Sequence, residues 1–186
     1  MDKNKIEEGI RLMLEGIGED TSREGLVETP ARVARAAEEL FGGLKLDPSI
    51  HTEKVFHQDD SELVLVKDIE FHSMCEHHLL PFYGKAAIAY VPNNGEVIGL
   101  SKVARILDDV AKKPQMQERI TEEVASVMMD SLNPQGVMVI LQGEHMCMSL
   151  RGVEKHGSST VTKETRGVFK ENEQLRREVF QMISFD

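Results

Sequence analysis

Both cysteines of this 186-residue chain stand beside histidines. Cys75 opens the run Cys75-Glu76-His77-His78, and Cys147 closes the run His145-Met146-Cys147. Thiolate and imidazole are ligands that zinc favours, and a cysteine and a histidine three apart in a short loop can turn toward one ion. Across Glu144–Arg151, strand alternation predicts His145, Cys147, Ser149 and Arg151 on one side and Met146, Met148 and Leu150 on the core side. Cys75, His78 and Cys147 together would leave the fourth tetrahedral position to water, the arrangement of a catalytic site. Two plainer readings stand beside this one. Cysteine is often simply buried, and loop histidines are readily satisfied by hydrogen bonds. A closed structural site would instead take His77 or His145 as its fourth ligand.

A second chemistry is anion binding. Lys102 and Arg105 are three apart behind Ser101, so they share a face near the positive end of a helix. Glu118 sits at another helix start, where the macrodipole alone would favour a carboxylate. The formal charge of −10 disfavours nucleic acid or an anionic membrane as a general partner, so a phosphate site must be local. The charged start and the lack of an apolar run long enough to span a bilayer lead us to expect a cytoplasmic protein. In that reducing compartment a structural disulfide between Cys75 and Cys147 is not expected.

These side chains need elements to hold them. Ile6, Ile10, Met13, Leu14 and Ile17 recur at helical spacing and predict a first amphipathic helix that stops at Gly18. Thr29 reads as an N-cap with Pro30 in the first helical position, and Gly42-Gly43 ends that second helix. Leu63–Phe71 reads as a strand with Leu63, Leu65, Ile69 and Phe71 on one face, and Lys85–Val91 as the next. Ser101 is the expected cap of a helix carrying Val103, Ile106, Leu107 and Val110 inward; Pro114 separates it from a longer helix ending near Leu132. Two more strands follow, Gly136 to about Arg151 with an irregularity at Gly143, and Ser159 to about Arg166, before a last helix carrying Leu175, Val179, Phe180 and Ile183. The expected fold is α+β: a largely antiparallel sheet in ββααββ order with helices on one side and further helices at both termini. Residues 1–50 form a helical segment and 51–186 the main domain of a single compact unit, whose sheet edges invite oligomerisation.

Four blocks then carry a family likeness. Ser73-Met74-Cys75-Glu76-His77-His78, Ile98-Gly99-Leu100-Ser101-Lys102, Pro114-Gln115-Met116-Gln117-Glu118-Arg119 and His145-Met146-Cys147 with Arg151-Gly152 resemble, in that order, GTP cyclohydrolase I. The likeness runs from around Glu28-Thr29-Pro30 to the last helix. It implies the tunnelling fold, a catalytic zinc ion on Cys75, His78 and Cys147, and a ring-shaped homo-oligomer, usually a decamer of two pentamers with active sites at subunit boundaries. The implied reaction converts GTP and water to 7,8-dihydroneopterin triphosphate and formate, the first step of tetrahydrofolate and pterin biosynthesis.

The same resemblance distributes roles. It implies His145 as the proton donor to N7 of guanine, and His77, with Ser101, as serving later proton transfers during ribose opening. It matches Glu118 to the carboxylate that accepts from guanine N1–H and the 2-amino group, with Gln117 as a further substrate contact. It matches Arg32, Arg35 and Arg151 to basic residues that join Lys102 and Arg105 on the triphosphate. Some members carry lysine at the position of Arg35, and a surface charge is the alternative there. Two rival readings are a non-catalytic zinc or nucleotide-binding module, and another tunnelling-fold enzyme acting on a different pterin or deazapurine.

Overall fold

The computed structural model describes residues 1–59 and 61–183. Two helices lead, α1 (Lys3–Gly16) and α2 (Thr29–Leu40), and they pack on each other. The Asp2 carboxylate caps α1 by accepting from the Lys5 N–H at 3.1 Å. Thr29 does not cap α2: Glu28 holds that position, and the Thr29 hydroxyl donates back to the Gly25 carbonyl instead. Pro30 lies in the first turn, where its missing N–H costs nothing.

Then follow β1 (Val55–His57), β2 (Val64–Cys75), β3 (Pro81–Val91), β4 (Glu96–Ile98), α3 (Leu100–Ala111), β5 (Pro114–Gln115), α4 (Gln117–Leu132), β6 (Gly136–His145), α5 (Met146–Ser149), β7 (Ser159–Gly167), α6 (Val168–Glu171) and α7 (Glu173–Met182). The main sheet runs β5-β2-β3-β6-β7. Every neighbouring pair in it is antiparallel except β2–β5, where Met74 and Cys75 run parallel to Pro114 and Gln115. The expected ββααββ order is therefore present, with β5 added at one edge and the short β1–β4 pair standing apart.

The main core lies between the sheet and α3 and α4. Ile106, Leu107, Val110, Ile120, Val124 and Met128 bury against Phe71, Phe82, Ile88, Val139 and Leu141. Each such side chain contributes about 1.5–3 kcal/mol when fully buried. The opposite face is covered at one end, where Phe169 and Val179 from α6 and α7 meet Ala89, Met138 and Ile140. The main helical layer is thus on one side, as expected, and the C-terminal helices close part of the other.

Four local expectations change. Leu63 and Leu65 pack toward α7, whereas Ile69 and Phe71 pack toward α3 and α4, because the ladder shifts between Val66 and Ile69. Asp68, in the left-handed region at φ 57°, is the extra residue that breaks the alternation. Gly143 is not irregular: it pairs with Gly84 in an unbroken register. The strand ends at His145 rather than continuing toward Arg151, and Cys147 sits in the single turn of α5. Gly99, not Ser101, precedes α3, and Ser101 is its second residue.

Candidate active site

Cys75 closes β2 and is buried, while Cys147 follows the end of β6 by two residues. Because β3 lies between those strands, pairing His145 with Phe82 and Met74 with Pro81, both chain segments reach the same end of the sheet. The turn after Cys75 is tight, with the Leu79 N–H donating to the Cys75 carbonyl at 2.8 Å and the Cys75 N–H donating to Leu80 at 2.9 Å. It returns the exposed His78 over the sulfur atoms. One ligand atom from each of Cys75, His78 and Cys147 lies within 4.8 Å of the others. Two thiols and an imidazole at that spacing suit a tetrahedral ion of zinc's kind with one position left over.

Burial, and then the nearby Cys75 sulfur, push the Cys147 thiol above its usual range, while the positive charge of Arg151 works the other way. Thiols must lose their protons to bind a metal, so loading such a site releases protons. Arg151 stands beside the cluster, its Nη1 3.5 Å from His78 Nε2. His77 is exposed but not remote: its Nδ1 is 3.7 Å from Cys75 Sγ and its Nε2 is 3.9 Å from Glu76.

His145 is fixed on two sides. Its ring stacks on Phe82 at 4.6 Å between centroids with only 6° between planes. Its Nε2 lies 2.9 Å from the Gln117 side-chain oxygen. Burial lowers its pKa, and the carboxylate of Glu118 opposes that shift. Glu118 is exposed in the first turn of α4, near enough for its charge to be felt at the imidazole.

Gln117, by contrast, lies wholly in the interior. Its amide nitrogen reaches the carbonyls of Leu141 at 3.1 Å and Thr160 at 2.9 Å and the Thr162 hydroxyl at 3.1 Å. Every polar atom of its head is engaged within the chain. Gly143 makes this placement feasible: a Cβ there would stand 2.7 Å from the Gln117 oxygen.

A further tie was not anticipated. Arg119 grips the Glu76 carboxylate through both terminal nitrogens, at 2.5 and 3.2 Å, and holds it below the usual carboxylate range. The Glu76 N–H also donates to the Gln115 carbonyl at 3.0 Å. The turn that carries Cys75 and His78 is thereby bound to the segment that leads into α4. Arg119 lay inside one of the four sequence blocks without a role, and only the fold shows its partner across 43 positions.

The remaining basic residues are not gathered at this end. Cys75 pairs with Gln115, four residues past the end of α3, so the Cys75, His78 and Cys147 cluster lies near the C-terminal end of that helix. Ser101 and Lys102 are in its first turn, on the order of 15 Å away at 1.5 Å per residue, and Arg105 is one turn further in. Arg32 and Arg35 line a separate cavity of about 630 Å³ with His72 and Lys112. Arg32 already pairs with Glu28 at 2.6 Å. Within one chain the structure unites Cys75, His77, His78, Gln117, Glu118, His145, Cys147 and Arg151, and leaves Ser101, Lys102, Arg105, Arg32 and Arg35 elsewhere.

Comparison with known proteins agrees along the whole length. The sequence profile described as GTP cyclohydrolase I matches residues 6–184. GTP cyclohydrolase 1 of Listeria welshimeri serovar 6b is 58% identical over 98% of this chain and 97% of its own. The protein of that name from Clostridium perfringens is 56% identical over 99% of each chain, and that from Carboxydothermus hydrogenoformans 55% over 98% of this chain and 95% of its own.

Proposed function

The chain belongs to the GTP cyclohydrolase I family, and from that premise we propose that it hydrolyses the guanine ring of GTP, releasing formate and forming 7,8-dihydroneopterin triphosphate at the entry to tetrahydrofolate and pterin biosynthesis. The observation that carries the reading is the convergence of Cys75, His78 and Cys147 beside a stacked, hydrogen-bonded His145. That combination offers a metal ligand set and a proton-transfer group at one place. A purely structural metal site gives no reason for the second.

The donor set fits zinc, with Cys75 and Cys147 as thiolates and His78 as the imidazole ligand. When bound, the ion supplies Lewis-acid activation of water at neutral pH. His145 holds the proton destined for N7, which makes C8 of guanine open to attack. Glu118, exposed at the start of α4, accepts from guanine N1–H and the 2-amino group in two parallel bonds. His77, beside Cys75 and free of the ligand set, serves the later proton transfers of ribose opening, together with Ser101.

Lys102, Arg105, Arg32, Arg35 and Arg151 hold the triphosphate in this reading. Their dispersal over one chain supports an assembly in which neighbouring subunits complete each site, a homo-oligomer that we take to be a decamer of two pentamers. Residues 1–50 act as the helical segment and 51–186 as the catalytic domain. No helix among the described residues is long and apolar enough to cross a membrane. We place the protein in the cytoplasm, where reducing conditions keep both thiols available to metal.

Incubating the purified protein with GTP, with and without a chelator, tests the reading by formate release and pterin fluorescence. Both products are expected from the zinc-loaded protein and neither after chelation. Zinc-loaded protein that makes neither product would overturn it.

A further inference from the structure

We infer that Gln117 is a positioning residue which fixes the tautomer of His145, leaving the proton on Nε2 in place and making Nδ1 the nitrogen that exchanges a proton with substrate. This deepens the proposed function and rests on it for the role of His145. The tautomer itself follows from hydrogen-bond chemistry alone.

The far end of the Gln117 amide faces backbone acceptors. The carbonyl oxygens of Leu141 and Thr160, at 3.1 and 2.9 Å, can only accept hydrogen bonds. The amide group facing them must be the NH2, since the flipped arrangement would set three oxygens against one another inside the core. The Gln117 oxygen then points at His145 Nε2, 2.9 Å away. That oxygen can only accept, so His145 Nε2 must carry a hydrogen and donate it. With Nε2 occupied in this way, a neutral His145 ring has its lone pair on Nδ1.

Three features keep the arrangement from relaxing. Gln117 is completely buried, so water cannot substitute for any of its partners. The Thr162 hydroxyl lies 3.1 Å from the same amide nitrogen and is itself 2.6 Å from the Thr121 hydroxyl, which donates to the Gln117 backbone carbonyl at 2.7 Å. Phe82 stacks against the imidazole, which restricts a ring flip. Gly143 completes the design, since the Gln117 head occupies the space that a Cβ at that position would need. The residue first matched to a substrate contact thus acts through His145.

The test reads the tautomer directly. Solid-state 15N spectra of the zinc-loaded protein, labelled on histidine and assigned with His145→Gln, are expected to show a protonated Nε2 and a bare Nδ1 for the neutral His145 ring. A neutral ring protonated on Nδ1 would overturn the inference whatever the activity. Gln117→Met, close to isosteric but unable to accept, is expected to mix the two tautomers and lower kcat by about a hundredfold while KM changes by less than about threefold. A Gln117→Met enzyme with unchanged spectrum and kcat would overturn it. Gly143→Ala keeps every polar group but displaces the Gln117 head, and is expected to reproduce the same change if Gln117→Met fails to fold. A Gly143→Ala protein with the wild-type tautomer and kcat would also overturn it. A chain that shows the expected tautomer but makes no formate from GTP would leave this assignment standing and overturn the proposed reaction instead.

Discussion

The metal end of the sheet and the set of outlying cations differ in how much of their geometry one chain supplies. At the metal end, Cys75, His78, Cys147 and His145 are drawn together by β2, β3 and β6, and their supports are short polar contacts to α4 and β7. Lys102, Arg105, Arg32 and Arg35 have no comparable frame: they lie on helix surfaces, far from the metal cluster or in another cavity. The candidate ligands and His145 are held in place by this chain's own strands and helices, where small displacements would be costly to the proposed chemistry. Long flexible cations tolerate assembly from more than one chain, because a polyanion is held by summed charge rather than by exact alignment.

The largest effect is expected at the candidate metal ligands. Cys147→Ser is expected to lose bound metal and to reduce formate release by at least about a thousandfold, as removal of a group central to the chemistry does; metal content and formate yield check it together. Mixing comes next. Arg105→Ala is expected to raise KM about tenfold or more through loss of charged hydrogen bonds. If neighbouring subunits complete each site, re-associating Cys147→Ser chains with Arg105→Ala chains should restore measurable turnover with a near-wild-type KM. Absence of any gain over the separate variants would show that the phosphate half does not come from a neighbour.

Smaller effects are expected at Arg119 and Arg32. Arg119→Ala releases Glu76 from its two-pronged contact, and a loss of metal affinity of about tenfold is expected, a common size for outer partners of metal ligands. Competition with a chromophoric chelator measures it without reference to turnover. Arg32→Ala should change least, about twofold in KM, because its guanidinium is shared with Glu28 and exposed. A larger effect from Arg32 than from Arg119 would reverse the ranking of a fixed metal end over an adaptable phosphate set.

The clustering of Cys75, His78 and Cys147 is legible in the sequence because both cysteines carry histidines within a few positions, and such proximity survives folding. The β2 alternation was not, since a bulge at Asp68 leaves the same apolar letters while exchanging their faces. His145–Arg151 looked like an extended strand by polarity, but β6 stops at His145 and α5 turns Cys147 toward Cys75; a single helical turn is too short for periodicity to reveal. Glu118 is suggested by its motif, whereas the inward turn of its neighbour Gln117 is hidden in the sequence, because its acceptors come from β6 and β7. At Gly143 the missing side chain suggests an irregular strand, but what it provides is room beside an intact one.

That room also bears on folding fidelity. At Gly84 an added Cβ would collide with the Gln142 carbonyl, and at Gly143 one would crowd the buried Gln117 head. A slip of β6 by one position would bring Gln142 or Glu144 to the place where the interior accepts only hydrogen. The facing glycines therefore act as a keyway: a mispaired sheet meets a steric veto that the native register avoids.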